Sequence, residues 1–311
     1  MKQLTKDLIE WTRDYLNSFG GNTKVVIGIS GGKDSSVVAA ACVAAVGKDR
    51  VVGVLLPNGY QHDIDKARKV VSLLGIKTYE FNIKYTFDRM TTDILSTIEA
   101  FPSKSVSDGF KNCYSNTPAR IRMTYLYGVA ALLGDARVAN TCNRSEDYVG
   151  YSTKYGDSAG DFAPLANLCV REVLEIGEDL GLPDDLVHKP PEDGLSGLTD
   201  EENLGFTYKT LDSYLLDGIK PPQDILENIE KRHKQNLHKI TPMPSFKKGE
   251  IKMFKRVTIQ FDVTIPDEPC AGELLSDEDV IEELKEAYND FIRTEGCSDA
   301  TIKIDTMDKE K

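Results

Sequence analysis

One tryptophan, four histidines and six cysteines in 311 residues leave little material for several common chemistries. The cysteines (Cys42, Cys113, Cys142, Cys169, Cys270 and Cys297) include no C-x-x-C pair, which argues against a zinc ribbon, an iron–sulfur site and a disulfide framework. They read as small buried hydrophobes of a reducing compartment. His62 and His188 lack metal-ligand spacing and read as surface residues. No apolar run approaches the roughly 20 residues that span a bilayer, so no membrane role is expected. Basic charge is scarce as well: 38 Lys and Arg against 50 Asp and Glu give a net charge of −12. With no basic cluster interleaved with aromatics, nucleic acid is not an expected partner. The opening MKQLTKDLIEWTRDYL is charged throughout and reads as a first helix, not a signal peptide, so a cytoplasmic protein is expected. Leu4, Leu8, Trp11 and Tyr15 share one face of that helix and are expected to pack on the core.

What is present is an alternation of strands and helices. Val25 to Ile29 is a continuous apolar run of the kind buried on both faces, followed by a Gly-rich turn and an Ala/Val-rich helix from Ser36 to Val46. Strands at Val51 to Leu56 and Lys77 to Ile83 then alternate with helices at Asp63 to Leu74 and Tyr85 to Ala100. This order predicts an α/β fold with a doubly wound parallel sheet and helices on both faces. Phe101 to Thr117 reads as a loop, Pro118 as the start of a helix to about Leu133, and Arg137 to Thr141 as a further strand. Asn143 to Pro164 reads as irregular, and long irregular stretches in compact domains are usually functional. A helix at Val170 to Leu180, a loop at Pro183 to Gly205 and helices at Tyr208 to Leu216 and Pro222 to Leu237 complete a domain spanning 1–248.

Beyond it, Val257, Ile259, Phe261, Val263 and Ile265 alternate with polar residues, a helix follows Ser276, and Thr301 to Asp305 reads as a last strand. Residues 249–311 are therefore expected to form a small β-α-β appendage, at about 60 residues too small to be robust alone. It carries no Gly-rich loop, His cluster or basic cluster, and a structural or assembly role is expected.

The sharpest signal is Ser30-Gly31-Gly32-Lys33-Asp34-Ser35-Ser36, set directly between a buried strand and a helix. Glycines let the backbone turn tightly against a ligand, and the helix points free N–H groups and its positive dipole end at that place. A pyrophosphate is the natural occupant. The spacing is neither a Walker A loop nor G-x-G-x-x-G. A carboxylate inside an anion-binding loop repels phosphate unless a cation lies between them, which makes Asp34 a magnesium ligand.

This run resembles the pyrophosphate loop of the N-type ATP pyrophosphatases. Pro118-Ala119-Arg120-Ile121-Arg122, Asn140-Thr141, Ser145-Glu146-Asp147, Thr153-Lys154-Tyr155-Gly156-Asp157, Gly160-Asp161-Phe162, Lys189-Pro190-Pro191, Thr199-Asp200-Glu201-Glu202 and His238-Lys239, in that order, resemble the NAD synthetases within that group. The resemblance covers about residues 1–246. It implies an adenine nucleotide alpha hydrolase-like fold and an ammonia-dependent enzyme that adenylates deamido-NAD with ATP and then amidates it. It implies that Gly28, Ile29, Ser30, Gly31, Gly32, Lys33, Asp34, Ser35 and Thr141 bind ATP. Asp34 and Glu146 would bind Mg2+ as the catalytic pair, and Arg120, Lys154, Asp161, His238 and Lys239 would bind deamido-NAD. It also implies a homodimer with the substrate across the interface. Closure of the loops at 101–117 and 183–205 over the adenylate is a further expectation.

Two positions depart from the pattern. Many relatives carry Lys where Val170 stands and Thr or Ser near Glu192, both ATP contacts there; Arg171 and Lys33 are the candidates to supply the missing charge. The competing readings are another enzyme with the same loop, a tRNA thiolase or a GMP synthetase-like protein, and an ATP- or dinucleotide-binding module without turnover. Acidic charge and the lack of paired catalytic cysteines stand against a thiolase.

Overall fold

The computed structural model describes residues 1–98, 106–188 and 199–246. The chain divides into two units, Met1–Ser245 and Phe246–Lys311. The strands and helix expected at 249–311, and the Lys189-Pro190-Pro191 run with Glu192, lie outside the described residues.

The first unit is built on four parallel strands, β1 (Lys24–Gly28), β2 (Val51–Leu55), β3 (Lys77–Glu80) and β4 (Ala136–Val138), in the order β3-β2-β1-β4. Strand residues alternate between two cores, as the period of two requires. Val25, Ile27, Val51 and Leu55 join a cluster with α1 (Gln3–Asn17), α2 (Lys33–Val46), α3 (Ile64–Leu74) and α7 (Val170–Asp179). Val26, Val52, Val54 and Val138 face α4 (Lys84–Thr97) and α5 (Val106–Leu133) through Phe87, Ile121, Met123 and Leu126. Both faces of the sheet are therefore covered, as expected for continuous apolar strands. Each fully buried Val or Ile contributes about 1.5–3 kcal/mol. A third cluster, with Val149, Val170, Leu204, Phe206, Leu211 and Ile229, joins the short α6 (Arg144–Tyr148) to α9 (Asp200–Leu204), α10 (Tyr208–Asp217) and α11 (Gln223–Ile240).

The crossovers β1-α2-β2-α3-β3 run one way across the sheet, and β4 returns to the other side of β1. The carboxyl ends of β1 and β4 thus flank the point where strand order reverses, the usual crevice for ligands in such sheets.

Three expectations need correction. The stretch read as a loop up to Thr117 is helical from Val106, and Pro118 lies inside α5 instead of starting it. Polar, low-propensity residues are held in that helix by tertiary contacts: Tyr114 packs edge-on against Phe87 at 5.4 Å, and Asn116 Oδ1 accepts from Thr153 Oγ1 at 2.9 Å. The segment read as a loop at 183–205 contains α8 (Asp184–Val187) and α9. Trp11 is 47% exposed, stacked on Tyr15, while Thr5, Leu8, Ile9, Thr12 and Leu16 form the buried face of α1. Cys42, Cys142 and Cys169 are buried and unbridged, as expected; Cys113 is unbridged but only half-buried, and Cys270 and Cys297 lie outside the described residues.

Candidate active site

The loop between β1 and α2 is closed by its own side chains. Gly32 N donates to Ser30 Oγ at 3.2 Å, Ser30 and Ser35 hydroxyls meet at 3.1 Å, and Ser36 Oγ donates to Gly32 O at 2.7 Å. Gly31 has φ +84°, and a Cβ there would lie 2.7 Å from the Ala67 amide nitrogen at the start of α3, so no other residue fits. The first turn of α2 faces the crevice with its free amides and positive dipole end, which suits an anion.

Asp34, in that first turn, meets Glu146 of α6 through two intermediaries. Lys33 Nζ lies 2.8 Å from Asp34 Oδ2 and 3.5 Å from Glu146 Oε1. Asn143, fully buried, donates from Nδ2 to Asp34 Oδ1 at 2.9 Å. The same Asn143 caps α6, its Oδ1 accepting from Glu146 N at 3.0 Å while Glu146 Oε2 faces Asn143 N at 3.5 Å. Burial and the neighbouring Asp34 charge push the Glu146 carboxyl up to about 8, with Lys33 only partly offsetting them. The same carboxylates raise the Lys33 ammonium above its ordinary range despite its burial.

Two carboxyl groups crowded enough to push one of them toward its protonated form would be relieved by a cation shared between them. No cluster of three or more His, Cys, Asp or Glu with metal-binding geometry exists among the described residues. Two carboxylates beside a helix start that suits an anion nevertheless fit Mg2+, which usually takes one or two protein carboxylates, phosphate oxygens and waters. Asp34 and Glu146 are the residues that would hold it.

A buried network fixes α6. Ser145 Oγ donates to Asp212 Oδ1 at 2.6 Å and accepts from Val170 N at 3.2 Å, and Asp212 Oδ2 accepts from Arg171 N at 2.7 Å. Asp212 therefore ties α10 and the first turn of α7 to the helix that carries Glu146. Tyr208, also from α10, lays its ring 5.6 Å from Lys33 Nζ. Thr141 stands in the turn between β4 and α6. Of the two candidates for the missing positive charge, Arg171 forms a bidentate pair with Asp217 at 3.0 Å, whereas Lys33 points into the site.

Four of the five residues expected to meet the dinucleotide line one open cavity of about 600 Å3: Arg120, Lys154, His238 and Lys239, with Asn116 and Thr117 of α5. Arg120 Nε donates to Lys154 O at 3.2 Å, Lys154 Nζ to His238 O, and Lys239 Nζ to Gly150 O at 2.6 Å. The last turn of α11 is thereby pinned to the chain leaving α6. Asp161 lies outside this cavity: its carboxylate accepts from Val138 N at 2.7 Å and from Tyr127 OH at 3.2 Å beside β4.

Asn143, Ser145, Tyr208 and Asp212 were not singled out by motif reasoning as site residues. Asn143 carried a local signal, Asn-x-x-Glu before a short helix, a capping-box pattern, and Ser145 stood in the Ser145-Glu146-Asp147 run without a role of its own; Tyr208 and Asp212 come to the site through tertiary packing alone.

Comparison with known proteins bears on this arrangement directly. The NAD synthase family model matches residues 4–250, which includes every residue of the site just described. The NH(3)-dependent NAD(+) synthetase of Methanocaldococcus jannaschii is 38% identical over 260 residues, covering 79% of this chain and 96% of that relative. The solved NMN synthetase from Francisella tularensis superposes with a TM-score of 0.69 at 31% identity, covering 78% of this chain and 97% of that one. The NH3-dependent NAD synthetase of Campylobacter jejuni gives 0.59 at 26% identity, covering 80% and 100%. The Gly-rich loop, the Asp34–Glu146 pair and the cavity lined by Arg120, Lys154 and Lys239 thus occur in a chain that belongs to the NAD synthase family.

Proposed function

We propose that this enzyme makes NAD from deamido-NAD, ATP and ammonia, releasing AMP and pyrophosphate. The observation that carries the reading is that α6 holds Glu146 within reach of Lys33 at the start of α2, while the chain leaving α6 is tied at Gly150 O to Lys239 of the cavity lined by Arg120, Lys154, His238 and Lys239. Loop amides and the Ser30 and Ser35 hydroxyls hold the departing phosphates, while the cationic cavity receives the anionic dinucleotide. The nicotinate carboxylate then reaches the α-phosphorus, the acyl-adenylate forms as pyrophosphate leaves, and ammonia attacks its carbonyl to expel AMP. Asp34 and Glu146 would hold Mg2+, which would supply neutralisation of the charge developing on the phosphates. The protein mainly positions and neutralises.

Two finer statements belong to the same reading. The enzyme works as a homodimer, a reading supported by Asp161, which is exposed outside the cavity of its own chain where a second copy can reach it; sedimentation showing only active monomer at micromolar concentration would remove this. It acts in the cytoplasm, in keeping with the absence, among the described residues, of any helix long and apolar enough to cross a membrane.

The decisive assay measures AMP and NAD release with deamido-NAD, ATP, Mg2+ and an ammonium salt. A parallel reaction with nicotinate mononucleotide is warranted because one solved relative is named for NMN. Faster turnover of the mononucleotide would redirect the substrate assignment, and binding without AMP release would favour the non-catalytic reading.

A further inference from the structure

All four carboxylate oxygens of the Asp34–Glu146 pair already face a partner inside the protein. The outer two, Asp34 Oδ1 and Glu146 Oε2, face Asn143 at 2.9 and 3.5 Å. The inner two, Asp34 Oδ2 and Glu146 Oε1, face Lys33 Nζ at 2.8 and 3.5 Å. The partners differ in kind. Asn143 is locked as the cap of α6, whereas Lys33 ends a flexible four-carbon stem. Lys33 also sits in the first turn of α2, where the helix dipole disfavours a cation, and its side chain is only 5% exposed. The carboxylates and the Tyr208 ring are what hold it there. Its ammonium lies between the inner oxygens, where a divalent cation shared by the two carboxylates would have to sit.

We propose that Lys33 is a displaceable counter-ion that keeps free Mg2+ out of the Asp34–Glu146 pair until the phosphates of ATP draw its ammonium away, so that metal and nucleotide bind together. Displacing a buried ammonium leaves it unpaired, which is costly unless new anions receive it. Phosphate oxygens at the start of α2 are such anions, within the sweep of the same stem. Arg171, paired with Asp217, is not available for this exchange, and Val170 is buried in an apolar cluster. The inference rests on the ATP-binding reading of the loop.

Mn2+ shares the oxygen-ligand preference of Mg2+ and can be followed by electron paramagnetic resonance. It is titrated into the full-length chain with and without α,β-methylene-ATP, whose α–β linkage is not cleaved. For the unaltered protein, Mn2+ should bind at least about tenfold more tightly when the analogue is present. Lys33→Met and Lys33→Gln, checked for native circular dichroism, should each bind Mn2+ alone at least about tenfold more tightly than the unaltered protein. Both should bind the analogue more weakly. Equal Mn2+ affinity with and without the analogue in the unaltered protein overturns the inference, as does equal nucleotide-free affinity in the unaltered chain and a folded variant. If the unaltered chain does not bind the analogue at any metal concentration, the ATP reading itself fails, and the inference with it.

Discussion

Asn143 Nδ2 donates to Asp34 Oδ1 at 2.9 Å across 109 positions of sequence, joining the loop after β1 to the turn after β4. The same residue caps α6. Asn143→Ala therefore removes a helix cap and leaves Asp34 free to rotate. A stability loss of about 1–2 kcal/mol is expected from the cap, and kcat should fall at least about tenfold through misplacement of Asp34. Thermal unfolding and steady-state kinetics check the two effects separately, and normal kcat in a folded variant would show that Asn143 is only a cap.

Asp34→Asn keeps shape and hydrogen bonding but removes a charge that would hold Mg2+. Losing one stabiliser of developing phosphate charge typically costs about 3 kcal/mol, on the order of a hundredfold in rate. The expected pattern is a depressed kcat with little change in deamido-NAD binding. Normal turnover at saturating Mg2+ would remove Asp34 from the metal site.

Much of this site was legible in sequence because its central piece is local. Residues 30 to 36 carry the turn, the helix start and Asp34 in one run, and the apolar strands beside it needed no tertiary knowledge. Lys33 was visible as a candidate for the missing charge, but its partner Glu146 lies 113 positions away and the pairing depends on how β4 sits beside β1. The helical character of residues 106 to 117 was hidden because Ser, Asn and Gly are poor helix formers and Pro118 imitates a helix start. Contacts with Phe87 and Thr153 decide the matter, and neither lies nearby in sequence. Helix α6 was missed for another reason: five residues are too few to show an apolar period.

Gly150 has φ +66°, and a Cβ there would come within 2.0 Å of Asn236 Cβ on α11. Its carbonyl accepts from Lys239 Nζ. Gly150→Ala combines a left-handed conformation with overpacking, and about 2–5 kcal/mol of destabilisation is expected. Because α11 must shift, deamido-NAD binding should weaken as well. Melting temperature and calorimetric Kd should both change; an unchanged Kd would detach the end of α11 from the substrate cavity.

A chain ending at Lys248 should keep the chemical step. The boundary after Ser245 and the family match over residues 4–250 are the grounds for this expectation. Stability or oligomer size is expected to change instead, seen by calorimetry and sedimentation. Loss of turnover in a folded truncated protein would assign residues 249–311 a part in the reaction.

Lys154 separates the dinucleotide site from the metal pair. Its ammonium reaches across the cavity to His238 O at the end of α11, and Arg120 donates to its backbone carbonyl. Lys154→Met keeps the stem and removes the charge together with its hydrogen bond to His238 O; Lys239 still ties the end of α11 to Gly150 O, so folding should be little affected. A dinucleotide brings two phosphates and a carboxylate to a chain with a net charge of −12, so local cations matter to its capture. Loss of one charge-assisted hydrogen bond should weaken deamido-NAD binding by about 1–3 kcal/mol, roughly 5- to 150-fold. A contact made to bound dinucleotide and not to the reacting phosphorus should put most of the effect on KM and little on kcat. Calorimetric titration of deamido-NAD, run beside kinetics on the same preparations, reads both. A lowered kcat with unchanged binding would place Lys154 at the reacting atoms instead of in the dinucleotide cavity.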